Sequence, residues 1–254
     1  TDRSRGLGDV YKRQTYSGSG APSVEGINFK AMKGQTIGVI GGTGSGKSSL
    51  VNLIPRLYDA TQGEVLVDGV NVKDYDIEAL RNKVGIVMQK AVLFKGTIRE
   101  NMWMGKKGAT DEQIDEALEI SQSKEFVDSK QGRLDYVIEQ GGKNLSGGQR
   151  QRLTIARAIV RKPDVLILDD SASALDFATD AALRKAIRGM NNSPTVFIVS
   201  QRAASLMYAD LIIVLDDGQV AGMGTHDELL ANCEVYKEIY ESQFKKADSE
   251  GGVA

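Results

Sequence analysis

The sequence has 254 residues but only one cysteine, Cys233, and one histidine, His226. A single cysteine excludes an internal disulfide framework and a zinc site built on clustered cysteines. In LLANCEVYKE it reads as a small helix residue, since a reactive thiol wants basic neighbours that this stretch does not offer. The histidine, in GTHDELL beside a helix start, reads as a capping or surface residue rather than a general base. Charge of one sign is missing too: 32 basic and 34 acidic residues leave a formal net charge of -2. That balance gives no support for a nucleic-acid partner. No apolar run approaches the roughly 18 to 20 residues of a membrane span. The longest runs, such as Leu211–Leu215, are strand-sized. There is no signal-peptide pattern and no internal repeat.

What is present is enough chain for one large domain or two small ones with a real core. The opening Thr1–Gln14 is charged, irregular and without a clear period, and suggests a non-native start or a truncated chain. The polar, small-residue tail 245–254 reads as frayed. Between them strands and helices alternate. GQTIGVIG (Gly34–Gly41) is a buried strand running into glycines, followed by a helix over Lys47–Leu57. Gly63–Val72 reads as a hairpin turning at Asp68-Gly69, and Leu211–Gly224 as another turning at Asp217-Gly218. Val84–Gln89, Val165–Asp170 and Thr195–Ser200 are strands. Asp76–Asn82, Thr110–Asp128, Gln149–Val160, Ala178–Met190 and Asp227–Gln243 are helices. Alternation of this kind predicts an α/β fold with a largely parallel central sheet.

Three motifs carry chemistry. GGTGSGKS, Gly41–Ser48, matches G-x-x-x-x-G-K-[ST] between a strand and a helix. The residues Gly41, Gly42, Thr43, Gly44, Ser45 and Gly46 let backbone N–H groups curl around a phosphate chain, and the helix amino end adds partial positive charge. Lys47 then reaches the β- and γ-phosphates, and the Ser48 hydroxyl ligates Mg²⁺. VLILDD places Asp169 at the carboxyl edge of the sheet, where it can hold Mg²⁺ through water. NLSGGQRQR, Asn144–Arg152, is a second Ser-Gly-Gly turn opening a helix, another set of exposed N–H donors. Two anion-binding helix starts in one chain serve one nucleotide only if a second chain supplies the opposite one.

Together these motifs resemble the nucleotide-binding domain of an ATP-binding cassette (ABC) transporter of the exporter type, over about residues 15–244. The resemblance implies a P-loop NTPase (RecA-like) core with a mainly parallel sheet, an antiparallel β subdomain, and an inserted helical subdomain at about Leu80–Arg161. It implies ATP and Mg²⁺ as ligands. Tyr16 matches the aromatic that stacks on adenine, and Ser49 follows the phosphate loop. Gln89 matches the glutamine that senses Mg²⁺ and attacking water. Leu145, Ser146, Gly147, Gly148 and Gln149 match the signature that closes over a partner's ATP. Asp176 matches the loop that crosses the dimer seam, and Glu139 falls where the family meets its membrane domain.

Two positions depart from the family pattern. Asp170 stands where the family usually has Glu, which polarises the attacking water; one methylene fewer draws the carboxylate back by about 1.5 Å. Gln201 stands where the family usually has a His at the γ-phosphate, and an amide can hydrogen-bond phosphate but carries no charge. Both changes strike the same phosphate while the binding elements stay whole. The pattern resembles the noncatalytic half of a heterodimeric exporter, whose own site binds ATP and hydrolyses it slowly. The implied partners are a second nucleotide-binding domain and a transmembrane domain absent from this sequence, at the cytoplasmic face of the plasma membrane. An ordinary homodimeric ABC ATPase and a purely regulatory ATP-binding module remain as alternatives. A soluble ABC-type repair protein would want coiled-coil insertions or tandem cassettes, and a kinase or GTPase would leave LSGGQ without a task.

Overall fold

The computed structural model describes residues 6–7, 11–15, 22–171 and 174–250. The chain divides into two compact units, residues 1–81 with 195–254 and residues 82–194.

The first unit is built on the strand Thr36–Gly41, every residue of which is buried. Six apolar or small residues in a row, ending in glycine, suit a strand covered on both faces. It pairs in parallel with Thr195–Val199 on one side and with Leu211–Asp216 on the other. Leu211–Asp216 returns antiparallel as Gln219–Gly224. The turn is Asp217-Gly218, at φ 43° and 80°, as a two-residue hairpin with positive φ at both central positions requires. Asp68-Gly69 turns Leu66–Val67 into Val70–Asn71 in the same way. A separate antiparallel sheet sets Tyr11–Thr15 between Pro22–Ile27 and Gln62–Glu64. The opening segment set aside on composition thus contributes paired backbone at Tyr11–Thr15.

The helix expected over Lys47–Leu57 stops at Asn52. Pro55 has no N–H to donate, and its ring opposes the carbonyl four residues back. The chain tightens instead: Leu53 and Ile54 N–H donate to Leu50 and Val51 oxygens, and Arg56 turns to φ 51°. The helix expected over Asp227–Gln243 is two helices, His226–Asn232 and Glu234–Glu250. Buried Cys233 lies between them in an extended conformation.

In the second unit, Val165–Asp169 pairs in parallel with Val84–Val87. The helix Gly147–Ile159 packs directly on this pair: a side chain at Gly85 would meet the Ala158 carbonyl and Pro163 at 2.9 Å each. Ile98–Gly105, Asp111–Ile120, Lys124–Asp128 and Phe177–Arg188 are further α-helices of this unit, with short 3₁₀ turns at Arg133–Asp135 and Gln140–Gly142. The helix expected over Thr110–Asp128 breaks at Gln122, φ 60°. The Ser121 hydroxyl donates to the Leu118 carbonyl and pairs with the Ser123 hydroxyl at 2.9 Å, the local bonding by which serine competes with helix. Ile98–Gly105 was not expected, although Thr97 and Glu100 form a capping box at its start.

Candidate active site

The phosphate loop leaves the buried strand at Gly41, where no side chain fits. A Cβ there would lie 2.2 Å from the Leu215 carbonyl oxygen and 2.6 Å from Ser45 Oγ. Gly44 and Gly46 sit at φ 82° and 92°, conformations costly for residues with a Cβ. Lys47 opens the helix and is 9% exposed. Its ammonium curls into the loop, donating to the Gly41 carbonyl at 2.9 Å and the Gly42 carbonyl at 2.6 Å, with Ser45 Oγ at 3.5 Å. Gly42, Thr43, Gly44 and Ser48 are exposed, and Ser49 is buried. A cation thus sits inside a rim of exposed backbone, the donor set a polyphosphate wants.

In the same unit, Gln201 is exposed just beyond the strand Thr195–Val199. Its carbonyl accepts a hydrogen bond from Gln243 Nε2 at 2.7 Å. Tyr16 lies outside the described residues.

In the second unit, Asp169 ends the strand Val165–Asp169 and is 5% exposed. Asp170 follows at φ 46°, a left-handed conformation that Asp tolerates better than most residues. Gln89 Nε2 donates to Asp170 Oδ2 at 3.3 Å. The structure therefore brings together two of the residues singled out for the attacking water. Gln89 is exposed beyond Val84–Val87. The segment that follows is tied by Asn101, fully buried, whose side chain accepts from Phe94 N–H and donates to the Phe94 and Thr97 carbonyls. Sequence reasoning passed over Asn101, and only its burial distinguishes it.

The signature turn is built differently from the phosphate loop. Leu145 is buried and anchors it. Ser146 caps the helix Gly147–Ile159: its hydroxyl accepts from Gln149 N–H at 3.2 Å, and Gln149 Oε1 accepts from Ser146 N–H at 3.1 Å. This reciprocal capping box was legible as S-x-x-Q and had been read only as part of a signature. A Cβ on Gly147 would meet nothing within 4 Å, and one on Gly148 would touch the Ala174 carbonyl at 3.4 Å. Asn144 secures the approach, accepting from Glu139 N–H and donating to the Val137 carbonyl and Tyr136 hydroxyl. Glu139 is exposed. Asp176 is a helix cap, accepting from Thr179 N–H at 2.9 Å and Thr179 Oγ1 at 2.7 Å. The Thr179 backbone N–H, then its hydroxyl, hold the Asp176 carboxyl below the usual carboxylate range.

The only histidine is neither exposed nor catalytic in setting. His226 Nδ1 lies 2.8 Å from the Tyr236 hydroxyl, and its ring packs against Tyr240.

A family model described as ABC transporter matches residues 24–173. The chain belongs to the ABC transporter family. An uncharacterized ABC transporter ATP-binding protein of Mycobacterium tuberculosis is 43% identical over 94% of this chain and 41% of its own length. The YfiB ABC transporter ATP-binding protein of Bacillus subtilis is 45% identical over 88% of this chain and 39% of its own. A Staphylococcus aureus chain named as a multidrug export ATP-binding/permease protein is 39% identical over 90% of this chain and 39% of its own. The chain thus spans about two fifths of the length of these ABC transporter relatives. Among solved structures, a bacterial Atm1-family ABC exporter with ATP bound superposes with TM-score 0.88 at 30% identity, over 94% of this chain and 42% of that one. The α/β P-loop ABC ATPase fold, with mainly parallel strands, antiparallel strands and helical subdomain, is the fold of that exporter's matching part. The ABC family binds and hydrolyses ATP, typically with Mg²⁺. No helix among the described residues is long and apolar enough to cross a membrane.

Proposed function

We propose that this chain is the motor domain of an ABC exporter which binds Mg-ATP through Gly41–Ser48, and that its own site turns over slowly. The observation that carries the binding is Lys47, its ammonium turned into a loop whose first glycine has no room for a side chain. By the family pattern Ser48, Asp169 and Gln89 would be the Mg²⁺ donors; hydroxyl, carboxylate and amide oxygens are the hard donors this ion takes. The ion would neutralise phosphate charge. Asp170 would accept a hydrogen bond from the attacking water and Gln201 would donate to the γ-phosphate. The short Asp170 side chain, engaged by Gln89 Nε2, supports slow turnover; misplacement on the ångström scale can cost about a hundredfold.

The open surface at Gly147 supports a composite site. Glycine is a weaker helix former than alanine, and among the described residues nothing lies within 4 Å of a Cβ at this position. Close approach by something outside the chain accounts for it: the nucleotide on a second ABC domain. A membrane domain would meet the face that carries exposed Val92 and Phe94, where the Arg157 guanidinium donates to the Val92 carbonyl and lies over the Phe94 ring. That assembly would sit at the cytoplasmic face of the plasma membrane.

ATP binding with Mg²⁺ and steady-state hydrolysis, measured on the same chain, test the reading. Binding with very slow turnover is expected, and Asp170→Glu combined with Gln201→His should raise turnover by about a hundredfold. Brisk wild-type turnover that Lys47→Ala abolishes would make this an ordinary homodimeric motor and sink the slow-site reading.

A further inference from the structure

We propose that Gln243, on the helix Glu234–Glu250, is a positioning residue that sets where Gln201 stands and so tunes the response to the γ-phosphate. The inference rests on the reading of Gln201 as a nucleotide contact. Gln243 Nε2 donates to the Gln201 carbonyl at 2.7 Å, and Gln243 Oε1 accepts from Ala203 N–H at 2.9 Å. Only one orientation of the carboxamide satisfies both partners, because one needs a donor and the other an acceptor. The amide bridges the backbone on either side of Arg202, while the Gln201 side chain is left exposed.

The bridge answers a specific local need. Ala203–Ser205 is a short 3₁₀ turn, and Arg202 at its start makes no side-chain cap. The first N–H groups of such a turn are orphans that require a partner. Ala203 is fully buried, so that partner must come from the protein, and Gln243 supplies it across 40 residues of sequence. Local bonds add to it: Arg202 N–H donates to Ser200 Oγ at 2.9 Å, and Ser205 N–H donates to the Arg202 carbonyl at 3.1 Å. Without Gln243, the Gln201 carbonyl and the buried Ala203 N–H would both lose this partner.

The helix that delivers Gln243 is itself fixed. Tyr236 is fully buried, its hydroxyl meeting His226 Nδ1. Tyr240 packs between the His226 ring, at 5.2 Å, and the Phe244 ring, at 4.3 Å. Gln243 therefore projects from a braced scaffold, the arrangement that positions a supporting side chain well.

The experiment compares ATP and ADP affinity, with Mg²⁺, for wild type, Gln243→Leu, Gln243→Glu and Gln201→Ala. Gln243→Leu should weaken ATP binding by roughly three- to tenfold, the worth of a hydrogen bond or two, and leave ADP binding unchanged. Gln243→Glu keeps the acceptor for Ala203 N–H but turns a carboxylate oxygen toward the Gln201 carbonyl, so it should hold the turn and still lose ATP affinity at least as much as Gln243→Leu. Gln201→Ala should match Gln243→Leu, and the double variant should add nothing. Amide hydrogen exchange should accelerate at Ala203, and the unpartnered buried N–H should lower the thermal midpoint by a few degrees; should Gln243→Leu unfold, Gln243→Glu carries the comparison. An unchanged ATP-to-ADP ratio in a wild type that binds ATP overturns the inference alone. Absence of ATP binding by the wild type overturns the site reading and the inference with it.

Discussion

Gly41, at the end of a strand, and Gly147, at the start of a helix, lie one in each unit of the chain, and they are glycine for opposite reasons. Around Gly41 the chain itself leaves no room: a Cβ would strike the Leu215 carbonyl oxygen and Ser45 Oγ. Around Gly147 there is only open space. The phosphate loop is therefore completed by its own chain, with Lys47 already bonded to the carbonyls it encircles. The signature turn is finished as far as its helix is concerned, through the Ser146–Gln149 box, yet among the described residues nothing accounts for its glycine. A residue that looks wasteful within one chain is the place to look for a second.

The sharpest way to break this comparison is to add the same methyl group to both. Gly41→Ala forces a methyl against backbone, since the nearest atom is the Leu215 carbonyl oxygen rather than a movable side chain. Overpacking of this kind costs about 1–3 kcal/mol. The variant should unfold several degrees lower and lose ATP binding. A thermal melt that leaves Gly41→Ala at the wild-type midpoint would mean that the loop is far softer than its contacts imply.

Gly147→Ala should do the reverse in the isolated chain. It occupies the first helical position, meets nothing, and should gain up to about 0.5 kcal/mol from lost unfolded-state freedom. Its cost should appear only with a partner, as reduced ATP turnover of the assembled dimer at unchanged ATP affinity of this chain's own loop. Undiminished partnered turnover would remove the argument that something outside the chain approaches Gly147.

The two regions also differ in how far they could be read from sequence. The phosphate loop was legible because its whole logic is local: strand, glycines, lysine and helix follow within a dozen residues. The hairpins at Asp68-Gly69 and Asp217-Gly218 were legible for the same reason, since two positive φ values in succession select that chemistry. Helix ends were read too long wherever a single residue interrupts a sound apolar period: Pro55, the Ser121–Ser123 hydroxyl pair, and Cys233. The helix Ile98–Gly105 escaped because its apolar pattern is short, though Thr97 and Glu100 announce it. Long-range ties escaped altogether. Nothing near Gln201 in sequence points to Gln243, 42 residues away, and nothing in GTHDELL points to the tyrosines that hold His226. Asp170 was read for its length; its left-handed backbone, φ 46°, became visible only in the fold.

The smallest expected effect concerns Asp176, expected at a seam between chains and found capping the helix Phe177–Arg188. A cap and a seam contact make different demands on the same carboxylate. The cap needs an acceptor, which Asn also provides; a contact that depends on charge would not survive the change. The folded carboxyl titrates below its ordinary value of 3.8, chiefly through the Thr179 N–H. A depressed folded pKa means that the charge-dependent part of the cap's stabilisation is fully present above the unfolded value and fades as pH falls through the lower, folded one. The gap in thermal midpoint between wild type and Asp176→Ala should hold constant from neutral pH down to about 4 and narrow below it. Asp176→Asn should keep most of that gap at neutral pH and show none of the narrowing. If Asp176→Asn also leaves partnered turnover untouched, the residue is a cap and nothing more. If turnover falls while the melt does not move, the carboxylate is meeting a second chain, and the open side of the comparison extends from Gly147 to Asp176.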